Sequence, residues 1–348
     1  MTAASRKPVG TNDPRIAVVG AGSWGTAFAG VTAGKGVDTI LWARREELAE
    51  AIGSRHENPD YLPGIELPAS LQATHDLEKA MSTASIVVVA VPSHAFREIF
   101  REVIPLLDPG TPVVSLTKGI EQDSLKRMSE VMVEEGDLNP GRVAALSGPN
   151  LAKEVAGRQP SATVVGCADE DVARTLQAAF MAPYFRVYTN PDVVGVELGG
   201  SMKNVIAIAA GIAVGMQFGD NAKASLITRG LAEIARLGAA MGGNPLTFAG
   251  LAGMGDLVAT CYSPLSRNRT VGEQLGKGRK LDEVISEMKM VAEGVKSSRP
   301  LCTMAERHGV EVPIAEHVVK VLYEDVSPED MVLSLMLRQA KPELQGLE

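Results

Sequence analysis

The chain has 348 residues, more than the ~250–300 at which a single hydrophobic core stops growing, so two domains are expected. Apolar residues make up 45% and charged residues 22%, a globular composition that excludes a disordered or collagen-like chain. Against 34 Lys and Arg stand 42 Asp and Glu, a net charge of −8 without a basic patch, which argues against a nucleic-acid binder.

The opening residues, rich in Thr, Ser, Pro, Gly and Asn, lack the apolar run of a secretory signal and read as a flexible tail over 1–14. From residue 15 to about 190, apolar runs at 16–19, 39–42, 86–91, 113–116, 143–146, 163–165 and 186–188 alternate with helical spacing. The helical segments are 25–34, 45–52, 96–107, 125–135 and 170–180. Near-continuous Val and Ile runs indicate strands buried on both faces, and the alternation predicts an α/β fold with a doubly wound, mostly parallel sheet. Beyond Gly199 and Gly200 no strand run follows. Helices are expected at 203–214, 222–241, 270–276, 281–288, 297–308 and 314–323. The division expected is a sheet domain over 15–196 and an all-α domain over 197–348.

The most apolar stretches, 86–91 and 205–214, are shorter than the ~20 residues that span a bilayer. Cys167, Cys261 and Cys302 lie far apart, which suits a reducing compartment and predicts a cytoplasmic protein.

The first run leads directly into Gly20-x-Gly22-x-x-Gly25. Gly20 suits a tight turn, Gly22 a close backbone approach to a pyrophosphate, and Gly25 tight packing of the following helix. A strand before, a helix after and a second strand at 37–42 make the turn Rossmann-like and the sheet domain NAD(P)-binding. Where an NAD-specific site would place an acidic residue, this chain has Arg44 and Arg45. Two guanidiniums there favour a 2′-phosphate, so NADPH is expected to be preferred, with NADH also used. The bland alternative is a solvated charge pair at a strand end.

Lys118 ends the run 113–116, and Ser147-Gly148-Pro149-Asn150 ends 143–146; both fall at strand ends, where open α/β sheets bind ligands. Lys203 and Asn204 open a segment apolar on every side. A lysine there must face a polar cavity or bear a large desolvation cost. Its pKa would fall toward the range of a general acid/base, unless it merely snorkels from a helix end. Asp256 lies in a glycine-flanked turn, and Ser266-Arg267-Asn268-Arg269 supplies donors suited to a phosphate. Taken singly, these read as a structural cap and a surface basic cluster. His56, His75, His94, His308 and His317 show no metal-ligand spacing, so no metal is expected.

The set GAGSWGTA, LWARR, VPSHAFRE, TKG, SGPNLAKE, GVELGGSMKNVIAIAAG, LAGMGDLVATC and SRNR, in this order from about residue 15 to 323, closely resembles the bacterial NAD(P)-dependent glycerol-3-phosphate dehydrogenases. The resemblance implies reversible reduction of dihydroxyacetone phosphate to sn-glycerol 3-phosphate, the entry to glycerophospholipid synthesis. It implies Lys203 as the acid/base and Lys118 in contact with both substrate and cofactor. Gly148, Asn150, Asp256, Ser266, Arg267 and Asn268 match the substrate-binding set; several relatives carry Ser or Thr where this chain has Asn150. Ser23, Trp24, Arg44, Arg45, Tyr61, Ala152, Arg267, Val291 and Glu293 match cofactor contacts. Asp256 would orient Lys203 or a substrate hydroxyl. A homodimer without stable membrane insertion is also implied. Two other readings remain: a two-domain hydroxy-acid dehydrogenase, which needs a carboxylate clamp instead of a phosphate site, and a non-catalytic NAD(P)(H) redox sensor.

Overall fold

The structure, a computed structural model, describes residues 14–288, 292–340 and 342–343. Apart from Pro14, the expected tail over 1–14 lies outside these residues, as does Val291.

Among the described residues ten strands form: β1 (Arg15–Val19), β2 (Asp38–Trp42), β3 (Glu57–Asn58), β4 (Leu62–Glu66), β5 (Gln72–Thr74), β6 (Ile86–Val89), β7 (Val113–Ser115), β8 (Val143–Ser147), β9 (Ser161–Cys167) and β10 (Phe185–Asn190). Eight of them make one sheet in the order β10-β9-β8-β7-β6-β1-β2-β5, and β3 pairs with β4 apart from it. All pairs in the large sheet are parallel except β8 with β9. The expected doubly wound sheet is therefore present, and every apolar run falls on one of its strands. The short, polar β3 and β5 and the exposed β4 carry no such run and were not foreseen.

Helices cover both faces: α1 (Ser23–Gly34), α2 (Glu46–Arg55), α3 (Leu77–Met81), α4 (Phe96–Val103), α5 (Met128–Gly136), α6 (Ala152–Ala156) and α7 (Glu170–Phe180). On β1, Ile16 and Val18 join one core cluster with Phe28 of α1 and Phe180 of α7. Ala17 and Val19 join a second with Phe96 and Phe100 of α4. Burial on both faces is why this strand has no polar alternation.

The rest is helical: α8 (Val193–Gly215), α9 (Asp220–Ala240), α10 (Pro245–Phe248), α11 (Asp256–Tyr262), α12 (Arg267–Gly276), α13 (Leu281–Ser286), α14 (Glu293–Arg307), α15 (Pro313–Tyr323) and α16 (Pro328–Met336). Two expectations need correction here. The helix expected from 203 begins at Val193, capped by Asp192, whose side chain accepts from Gly195 N at 2.8 Å. Gly199 and Gly200, taken as a break, sit inside it because the neighbours are close. A Cβ on Gly199 would stand 2.5 Å from the Ala252 carbonyl oxygen, and one on Gly200 would meet Ser147 Oγ. Lys203 is thus mid-helix, not at its opening. The expected acidic turn at 253–260 is a π-helical turn, Leu251–Gly255, running into α11.

The sequence placed no apolar stretch long enough to span a bilayer, yet α8 has 23 residues and is long and apolar enough to do so. Its apolar window is 89% buried, packed by α9, α11, α12, α14 and α15. It is the core helix of this half.

Candidate active site

The loops after β1, β6, β7 and β8 all leave the carboxyl edge of the sheet, and the chain reverses its winding between β1 and β6. Gly20 adopts φ +119°, and a Cβ there would lie 2.6 Å from the Ala90 carbonyl oxygen. At Gly25 a Cβ would strike the Gly20 carbonyl, so α1 packs directly on the turn. Gly22 differs: nothing lies within 4 Å of where its Cβ would be. It is also the N-cap of α1 and, being glycine, offers no side-chain cap. Trp24 Nε1 is buried with no hydrogen-bond partner among the described residues. An open glycine at a helix N-terminus and an unpartnered indole donor fit the pyrophosphate end of a dinucleotide.

Asn58, fully buried, fixes this turn and was missed by the sequence reading. Its Nδ2 donates to the Ala21 carbonyl (3.0 Å) and to Thr26 Oγ1 (2.8 Å), and its Oδ1 accepts from Tyr61 N at 3.1 Å. Ser23 Oγ donates to the Tyr61 carbonyl at 3.0 Å, which brings Ser23 and Tyr61 together. Ala152 opens α6, which packs on α1. Arg44 and Arg45 are both exposed at the end of β2, but they are not equivalent. Arg45 is ion-paired with Asp60, whereas Arg44 has no ion pair among the described residues.

Across the edge from this turn, Asp256 of α11 is 1% exposed and binds two lysines. One carboxylate oxygen accepts from Lys203 Nζ; the other accepts from Lys118 Nζ at 2.7 Å. Lys203 Nζ also donates to Thr260 Oγ1 at 2.8 Å. Only 6% of Lys203 is exposed. Burial lowers its pKa to about 8, Asp256 opposes the shift, and the Lys118 ammonium reinforces it. Lys118 donates further to the Gly148 carbonyl at 2.9 Å, where Gly148 holds φ +149°. Asn150 Nδ2 donates to Thr163 Oγ1 (2.8 Å), while its Oδ1 and Ser147 Oγ are buried without partners among the described residues.

Asn204, next to Lys203, accepts from Asn268 Nδ2 at 2.9 Å, and Asn268 Oδ1 accepts from Gly294 N at 2.9 Å. One side chain thereby joins α8, α12 and the start of α14. Ser266 is the N-cap of α12 and accepts from Arg269 N at 3.3 Å, so its hydroxyl serves the helix. Arg267, the first residue of α12, keeps an exposed surface yet is crowded by protein; desolvation lowers its pKa and Glu293 opposes that. Glu293 opens α14 and accepts from Ser93 Oγ at 2.8 Å, linking the β6 loop to the helical half. Thr260, Thr163 and Ser93 were not foreseen. Of these only Thr260, four residues after Asp256 on one helix face, left a sequence signal.

Residues 15–173 match the family model for the N-terminus of NAD-dependent glycerol-3-phosphate dehydrogenase, and residues 192–333 match that for its C-terminus. The chain belongs to the NAD-dependent glycerol-3-phosphate dehydrogenase family. The glycerol-3-phosphate dehydrogenase (NAD(P)+) of Thermobifida fusca is 58% identical over 334 residues, covering 96% of this chain and 99% of that one. The crystal structure of glycerol-3-phosphate dehydrogenase from Coxiella burnetii superposes with a TM-score of 0.89 at 38% identity, covering 94% of this chain and 99% of that chain. A ketopantoate reductase from Ralstonia eutropha shares the fold at a TM-score of 0.56 and 16% identity, covering 91% and 99% of the two chains. In this chain the Lys118–Asp256–Lys203 cluster joins the loop after β7 to α8 and α11, and the Asn204–Asn268–Gly294 link joins α8, α12 and α14.

Proposed function

We propose that this NAD(P)-dependent glycerol-3-phosphate dehydrogenase interconverts dihydroxyacetone phosphate and sn-glycerol 3-phosphate with Lys203 as the proton donor and acceptor. The observation that carries the reading is a lysine ammonium buried in a helix core, bound to Asp256 and Thr260, with its pKa lowered to about 8. The bound nicotinamide supplies hydride exchange at the substrate carbon. As charge builds on the carbonyl oxygen, Lys203 Nζ gives it a proton, and Lys118 adds a second positive charge beside it. Asp256 orients both ammoniums. Arg267 and Asn268 hold the phosphate, a remote handle whose binding energy positions the reacting carbon.

The glycine turn with Ser23, Trp24 and Ala152 holds the cofactor on the sheet side, and Arg267 and Glu293 reach it from the helical side. Arg44, lacking the ion pair that occupies Arg45, takes the 2′-phosphate and makes NADPH the preferred cofactor. The sheet half to residue 196 serves cofactor and the helical half from 197 serves substrate, with α8 common to both. A cytoplasmic homodimer without stable membrane insertion, supplying glycerophospholipid synthesis, completes the reading and rests on the family resemblance.

The test is cofactor oxidation by purified protein, with dihydroxyacetone phosphate or a 2-keto acid, and with NADPH or NADH. Turnover is expected with dihydroxyacetone phosphate and a higher kcat/KM with NADPH. A faster reaction with the keto acid would restore the hydroxy-acid reading, and no turnover at all the sensor.

A further inference from the structure

Away from the reacting groups, Glu197 of α8 is 7% exposed and is held by one short segment. Its Oε1 accepts from Ser129 N at 2.8 Å. Its Oε2 accepts from Arg127 Nη1 at 2.7 Å and from Ser129 Oγ. Arg127 and Ser129 stand at the foot of the loop that carries Lys118. That loop doubles back on itself: Ile120 and Arg127 form an antiparallel bridge, and Glu121 N donates to the Lys126 carbonyl at 3.0 Å. Lys118 lies two residues before the bridge. On the outer side, Arg97 Nε and Nη2 hold the Glu121 carboxylate at 2.7 and 2.6 Å.

One helix therefore touches this loop twice. Glu197 grips its base, and Gly200, three residues on, lies alongside the lysine stem: a Cβ there would be in ordinary contact with Lys118 Cγ at 3.5 Å. A buried ion pair is weak support for stability, because desolvation offsets the attraction. Fixing a position is the better-attested use of such a pair.

We propose that Glu197 is a positioning residue that, through Arg127 and Ser129, sets the loop placing the Lys118 ammonium on Asp256 beside Lys203. The inference rests on the roles given above to Lys118 and Lys203. Three charged or titratable groups face Lys203: Asp256 and Cys261 from α11 and Lys118 from the loop. Glu197 is faced by Arg127, which also pairs with Glu130 at 3.0 Å. If the loop loosens, Lys118 leaves Asp256, whose charge then falls to Lys203 alone. Lys203 should hold its proton to higher pH.

The experiment is the pH profile of kcat/KM for dihydroxyacetone phosphate, at saturating NADPH, in the full-length enzyme and Glu197→Gln. Reduction needs the Lys203 ammonium, so the wild-type rate falls on the alkaline side. In Glu197→Gln that limb is expected to move to higher pH, with kcat/KM at neutral pH down about tenfold, within the range that small misplacements produce. A lower Tm with the limb in place would mean a structural role only and would overturn the proposal. Ser129→Ala, which keeps the ion pair, is the second variant should Glu197→Gln not fold, and the same shift or its absence decides. Lys203→Ala separates the two readings. Near-normal rates there sink the Lys203 role, whereas an inactive Lys203→Ala with an unmoved limb in Glu197→Gln sinks this inference alone.

Discussion

At Lys203 burial and a neighbouring cation remove charge while one carboxylate restores it, leaving an amine that titrates at about 8 instead of 10.5. The two directions of the reaction must then respond to pH with opposite sign. With Lys203 as the proposed acid/base, reduction would use the ammonium, so kcat should fall as pH rises through about 8; oxidation would use the free amine, so kcat should climb through the same range. Matching profiles in both directions would place the proton elsewhere. Arg267→Ala should raise KM for dihydroxyacetone phosphate by at least about tenfold, the order of a lost charge-assisted hydrogen bond, and spare unphosphorylated dihydroxyacetone. Equal losses on both substrates would remove it from the phosphate. Lys203 was legible in sequence because a charge inside an apolar run demands a partner. Ser93 was not, since a hydroxyl becomes informative only once the fold sets it against Glu293.

Among the elements, the seam between α8 and α12 is built from glycine on both sides. A Cβ on Gly272 would fall on the Ile208 carbonyl, and one on Gly211 on the Arg269 carbonyl. Gly272→Ala should therefore cost roughly 1–3 kcal/mol, the range for overpacking against atoms that cannot step aside, read as a lower denaturation midpoint. The start of α8 was misread for the same reason: glycine looks like a break in sequence, whereas here it marks backbones in contact. On α9, Glu233 is 2% exposed and accepts from Ile314 N at 2.8 Å and Ala315 N at 3.3 Å, at the first turn of α15. It borders a cavity of about 1190 Å³ between α9, α15 and α16. Burial pushes its carboxyl from 4.5 up to about 7. In that window the folded chain holds a proton that the unfolded chain has released, so this group's contribution to stability is lost as pH rises toward 7. Glu233→Gln should flatten the dependence of Tm on pH across it; an unchanged slope would assign the effect to other groups.

Over the whole molecule, strand order puts four loops on one sheet edge, and the helical half closes on them through Ser93–Glu293 and Lys118–Asp256. The sheet was legible because strands buried on both faces leave unbroken Val and Ile runs. The meeting of Lys118, Asp256 and Lys203 was not legible, since it joins residues as much as 138 positions apart. At this scale the uneven state of the two arginines after β2 bears on cofactor choice. Arg44→Ser should raise KM for NADPH about tenfold and leave NADH nearly unaffected. Equal effects on both cofactors would assign the 2′-phosphate elsewhere.

Because Asp256 pairs with two cations at once, the cluster carries one surplus positive charge when both lysines are protonated. Giving up a proton from Lys203 takes the cluster to neutrality, not to a stranded anion inside the protein. On the proposed mechanism, Lys203 would then release and regain its proton without leaving an unpaired negative charge in low dielectric. Lys118 would remain paired with Asp256 as its counter-ion whichever protonation state Lys203 holds.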